Sequence, residues 1–131
     1  MSTPDDAIFA NKLGHFYQAI AQQLGDFVHT HIGSLSNEKI DALSNDQTTL
    51  ITYANTFFSL SDKIAFEQSE IYFKGVSDSI DTINEAIKKM DDINKVIKIT
   101  AGVITLAAAI VTQNGGGIVS SLQTVAGAIK A

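Results

Sequence analysis

From Ile99 to Ile129 the chain carries no charged residue. So long an uncharged stretch offers too little polar surface for a solvated helix, and it has to be covered by protein or by lipid. It falls into two parts. Residues Ile99 to Thr112 are apolar nearly all round, with only Thr100, Thr105 and Thr112 to offer water. Gln113-Asn114-Gly115-Gly116-Gly117 breaks the run. Ile118, Val119, Leu122, Val125, Ala126 and Ile129 then resume helical spacing, opposite Ser120, Ser121, Gln123 and Thr124. The expected object is an apolar helical hairpin: a helix, a glycine turn, and a second, amphipathic helix folding back.

Length narrows what the first arm can do. About fourteen uncharged residues make roughly 21 Å of helix, whereas a bilayer core needs ~30 Å. The arm is therefore expected to be core, or an interfacial or re-entrant element, rather than an ordinary transmembrane helix. Lys95 and Lys98 before it and Lys130 after it are placed to reach a headgroup layer. Small residues (Ala101, Gly102, Thr105, Ala108, Ala109) permit close helix contact in either setting.

The rest of the chain repeats one period. Phe9, Leu13, Phe16, Tyr17, Ile20, Leu24, Phe27 and Val28 follow steps of three and four, an apolar stripe on a helix of about seven turns. Thr3 as N-cap, Pro4 and Asp6 start it, and Gly33 and Ser34 end it. A short helix is expected over Asn37 to Leu43, entered from Ser36. Ser44 and Gln47 form a capping-box pattern for a further helix carrying Leu50, Ile51, Ala54, Phe57, Phe58, Ile64 and Ala65, with a soft spot at Ser59 to Asp62.

The most regular pattern comes next. Phe73, Val76, Ile80, Ile83, Ile87, Met90, Asn94, Ile97, Ala101, Ile104, Ala108 and Val111 alternate steps of three and four. This is a heptad seam of roughly five repeats, with Asn94 its one polar member. Its register favours one long rod with a bend at Gly75. The competing reading has Asp91 and Asp92 capping a separate helix. No useful length of period two appears, so no strand is expected. The fold class is all-α: an antiparallel helical bundle with one long heptad-patterned helix and a C-terminal apolar helical hairpin. It forms a single domain, with amphipathic helices over 1–98 and the uncharged hairpin over 99–131.

Composition excludes several functions. All nine basic residues are lysine and the net charge is −5. Without the planar fork of arginine, an acidic chain is poorly suited to nucleic acid. No cysteine is present, so thiolate chemistry and Cys-bearing metal sites are absent. His15, His29 and His31 lack the i,i+3 or i,i+4 spacing of zinc ligands on a helix, and read as surface or helix-end residues. Asp78, Asp81 and Glu85 on one face, and Glu67 with Glu70, read as solvated carboxylates. Gly115-Gly116-Gly117 has neither the lysine nor the preceding strand of a phosphate loop. No catalytic spacing appears, and neither an enzyme activity nor a cofactor or metal is expected. The acidic start, Met1 to Asp6, is unlike a secretory signal, which points to the cytoplasm or a non-classical export route.

The seam Phe73 to Ile97 running into the hairpin Ile99 to Ile129 resembles the arrangement in α-helical pore-forming toxins of the cytolysin A type. In that family such hairpins stay packed in the soluble form and insert on oligomerisation; here the hairpin lies at the C-terminal end rather than mid-chain. The resemblance implies a membrane-active hairpin and room for a homo-oligomer. The residues expected to contact membrane lipid or a partner are Val103, Ile104, Leu106, Ile110, Val111, Ile118, Val119, Leu122, Val125 and Ile129. The alternative is a helical protein-interaction module (an adaptor, inhibitor or immunity-type protein). It would present the seam Val76, Ile80, Ile83, Ile87, Met90, Asn94 and Ile97 to a helical protein partner.

Overall fold

The computed structural model describes residues 4–60 and 70–130, with side chains at 8–59 and 74–130. Five α-helices follow in order, with no strand among the described residues: α1 Pro4–Thr30, α2 Asn37–Leu60, α3 Glu70–Lys89, α4 Ile93–Val111 and α5 Gly115–Lys130. One turn of 3-10 helix, Ile32–Ser34, joins α1 to α2. The expected N-cap Thr3, the end of the soft spot at Ser59 to Asp62, and Ile64, Ala65 and Glu67 lie outside the described residues. The side chains of Glu70 and Phe73 do so too.

The α1 stripe is buried as its spacing predicts: Phe9, Leu13, Phe16, Tyr17, Ile20, Leu24 and Phe27 all lie in the core. Helix α2 folds back along α1, with Gly14 against the Phe58 ring and Gly25 against Gln47. Ser36 caps α2, accepting the Lys39 N–H at 3.2 Å. The expected break at Ser44 is absent, and α2 runs unbroken through it. Leu43 and Leu50, two turns apart, are both buried, and one continuous helix keeps them on the same face. The threonines that follow the expected cap turn their hydroxyls one turn back along the continuous helix. Thr48, Thr49, Thr52 and Thr56 donate to the carbonyls of Ser44, Asn45, Thr48 and Thr52.

The long rod is two helices. Helix α3 ends at Lys89, and Asp92 opens α4 by accepting the N–H groups of Asn94 at 2.9 Å and Lys95 at 3.4 Å. Of the expected seam, Val76, Ile80, Ile83 and Ile87 of α3 are buried, whereas the positions beyond α3 are not. Met90 and Ile97 are half-buried, and Asn94 and Ala101 are exposed. The core face of α4 is Val96, Ile99, Thr100, Val103, Leu106, Ala107 and Ile110, one residue off the seam. An interruption between helices resets the rotation, so a heptad register read across residues 90–92 does not carry over. Gly75 lies inside α3 without ending it.

Helix α3 packs on α1 and α5, and α4 on α2 and α5. Lys12 Nζ donates to Ser77 Oγ at 2.7 Å, and Phe27, His31, Ile87 and Lys88 surround a cavity of about 190 Å³ further along the same pair. One apolar core joins all five helices.

Candidate functional site

The uncharged stretch forms α4, a three-residue link and α5. The change of chemistry at Lys98 falls inside α4, not at its start. With Ile93 to Lys98 included, α4 has 19 residues, about 28 Å at the helical rise. The fourteen-residue arm therefore understated it. By length and composition α4 can cross a bilayer, and half of it is buried within the fold.

The turn also differs from expectation. Gln113 takes a left-handed conformation, φ 54°. The N–H of Asn114 bonds the Ala109 carbonyl at 2.9 Å and that of Gln113 bonds Ile110 at 3.0 Å. This pair of bonds is the Schellman closure of a helix C-terminus, with glutamine where glycine is usual. Asn114 at once caps α5: its Oδ1 accepts the Gly117 N–H at 3.0 Å, and its carbonyl accepts the Ile118 N–H at 2.9 Å. Gly115, Gly116 and Gly117 are thus the first turn of α5, not the loop. Asn114→Ala is expected to lower the urea midpoint by the equivalent of ~1 kcal/mol, the worth of an N-cap side chain.

Helices α4 and α5 lie close together because Gly102 has no side chain. A Cβ there would sit 2.6 Å from Val125 Cγ2, and Gly117 likewise faces Ala109. These two contacts set the register, with α5 running back along α4. The structure buries Val103, Leu106, Ile110, Ile118 and Val125 of the expected contact residues and half-buries Ile104, Val111, Leu122 and Ile129. Val119 alone is exposed, at 42%. On the outer side, Lys98, Ala101, Gly102, Thr105, Ser121 and Gly127 help line an open groove of about 590 Å³.

Two buried polar side chains bear on how α4 is seated: one ties it to α1, and the other is left without a partner. The Tyr17 hydroxyl donates to the Val103 carbonyl at 2.9 Å, fully buried, and the ring stacks on Phe57 at 5.5 Å. Burial, and secondarily Tyr53, hold the Tyr17 phenol well above its usual value. Thr100 is fully buried, and its hydroxyl makes no hydrogen bond within the protein. The clue in the sequence was an aromatic with a polar tip on a core stripe, which requires a partner somewhere.

Nothing matches: comparison with protein-family models, with curated proteins and with solved structures finds no similar protein.

The other candidates stay apart. His15 meets Phe58 edge-on at 5.0 Å, His31 Nδ1 lies 3.0 Å from the Phe27 carbonyl, and His29 is exposed. Asp78, Asp81 and Glu85 are exposed, Glu85 lying 3.7 Å from Lys89. Among the described residues, no three His, Asp or Glu side chains come together as metal ligands would.

Proposed function

We propose that this chain is a non-enzymatic helical protein that stores α4 and α5 in an antiparallel bundle and delivers them to a membrane, in the manner of a small α-helical pore-forming toxin component. The observation that carries the reading is the double character of α4: it is long and apolar enough to span a bilayer, yet it supplies the centre of the fold. Val103, Leu106 and Ile110 cannot touch lipid while α4 keeps its seat, so membrane entry requires the pair to leave it. The alternative module has less support. Its working surface, Val76, Ile80, Ile83 and Ile87, is turned into the protein's own core.

The test is vesicle flotation combined with dye release, at about pH 7 and about pH 5. Wild type is expected to float with vesicles and release dye. Ile104→Asp, which sets a charge on the apolar shaft, is expected to float without leakage while keeping its far-UV circular dichroism. Leakage unchanged in that variant, or a wild type that neither binds nor leaks at either pH, would remove the proposal.

A further inference from the structure

All fourteen acidic residues precede Ile93, whereas Lys95, Lys98 and Lys130 lie beyond it. The fold converts this asymmetry in sequence into one in space. Because Gly102 meets Val125 and Ala109 faces Gly117, the last residues of α5 return to the first turns of α4. Lys98 lines the outer groove together with Gly127 and Ala128. Lys130, distant in sequence, therefore stands at the level of Lys95 and Lys98, at the end away from the Thr112–Asn114 link. The α3 helix runs alongside α5, with Asp78 and Thr82 near Leu122 and Ile129, and brings Lys88 and Lys89 to the same end.

Acids are present at this edge as well, and Asp78 of α3 lies beside Leu122 and Ile129 of α5. The Asp92 carboxylate caps α4, and Glu85 pairs with Lys89. Asp91 is exposed and lies beside the cap. The α4–α5 face itself has no acid. Two lysines in the opening turns of α4 stand where the helix dipole disfavours cations, so local helix stability does not account for them. The groove running from Lys98 is less polar than its residue types suggest, since Thr105 and Thr124 turn their hydroxyls back to the carbonyls of Ala101 and Ser120.

We infer that the α4–α5 face docks on an anionic phospholipid surface, with Lys95, Lys98 and Lys130 meeting lipid phosphates. The inference rests on the membrane reading above and adds its selectivity. Among the described residues this end gathers Lys88, Lys89, Lys95, Lys98 and Lys130, which attract an anionic surface although the chain as a whole is acidic. Zwitterionic phosphatidylcholine also carries a phosphate, but its choline cancels the net charge, so its surface has no negative potential to draw the lysines.

The experiment is flotation of the full chain on vesicles of phosphatidylcholine alone and of phosphatidylcholine with roughly one-third phosphatidylglycerol, where each near-surface lysine adds to attraction. Binding to the anionic vesicles is expected to be more than about tenfold tighter, and to weaken as salt shortens the reach of surface charge. Lys98→Glu with Lys130→Glu, both at exposed positions, is expected to bring binding down to the phosphatidylcholine level with circular dichroism unchanged. Equal binding of wild type to both vesicles would overturn this inference and leave the membrane reading standing. A charge-reversed variant that binds as wild type does would overturn it as well. Binding to neither vesicle would overturn both. Sedimentation of the same sample would then show whether a second copy occupies the face.

Discussion

Tyr17→Ala is expected to cost ~3–5 kcal/mol in urea unfolding, the usual loss for emptying a large aromatic from a core, whereas Tyr17→Phe is expected to cost ~1 kcal/mol. The gap between the two follows from what the side chain does. Its ring stacks on Phe57 and stands 6.4 Å from Tyr53, at the place where α1 and α2 meet α4. Removal of the ring leaves a cavity among three helices. The hydroxyl makes one bond, to the Val103 carbonyl. That carbonyl lies inside α4 and keeps its helical acceptor role, so the phenylalanine variant leaves no buried acceptor without a donor. The same variant carries a pH signature. Tyr17 stays protonated in the folded state well above its usual value, while in the unfolded chain it ionises near pH ~10. Its contribution is complete below that point and is lost as pH rises through it towards the folded value. Wild type is expected to lose stability between about pH 9 and about pH 11 more steeply than Tyr17→Phe, as compared from urea midpoints across that range. If α4 leaves its seat to reach lipid, Tyr17→Phe also lowers the barrier and should release vesicle dye faster than wild type.

The parts of the fold legible in the sequence are those where polar and apolar residues alternate cleanly. The α1 stripe from Phe9 to Phe27 and the α3 seam from Val76 to Ile87 have charged or amide residues on their other faces, and both are buried as their spacing predicts. Where that contrast fades, periodicity loses its power. In α4 nearly every position is apolar or small, so the sets Ile97-Ala101-Ile104 and Val96-Thr100-Val103 read equally well as a core face. The one-residue difference was decided by a cap at Asp92 that the seam pattern passes straight through. Cap signals misled in the other direction at Ser44, where the demand to bury Leu43 and Leu50 together outweighed a polar tetrad. The glycine run shows a third case. Glycine suits a turn, but Asn114 can cap a helix and Gln113 can take the left-handed position, so the turn closed before the glycines were reached. For the candidate site, the apolar residues were visible in advance, and their burial was the simpler of the two readings offered for them. Lys95, Lys98 and Lys130 were already expected at the open end of a hairpin; the register that sets Lys130 level with Lys98 was not legible, because it depends on how Gly102 and Gly117 seat α5 on α4.

Thr100→Val is expected to move stability the opposite way, raising it by ~1–3 kcal/mol, the penalty carried by a buried polar group without a partner. Valine matches threonine in shape and removes the hydroxyl, so the fully buried site can keep its packing while losing its unpaired donor and acceptor. Its lower helix propensity relative to an unbranched residue does not enter, since threonine is β-branched too. A polar group left unsatisfied at the centre of α4 makes the seat weaker than its apolar contacts would make it. That weakness is useful to a helix that has to leave. The predicted consequence couples two measurements: Thr100→Val should raise the urea midpoint and slow dye release from anionic vesicles, while Tyr17→Phe should lower the one and speed the other. Both variants leave Lys95, Lys98 and Lys130 untouched, so initial binding to the vesicle surface should be unchanged in each. Opposite shifts in leakage at constant binding would tie membrane entry to the release of α4 from its own core. Leakage that ignores both substitutions would mean that α4 stays seated while the protein is on the membrane, and that the docked face acts without unfolding.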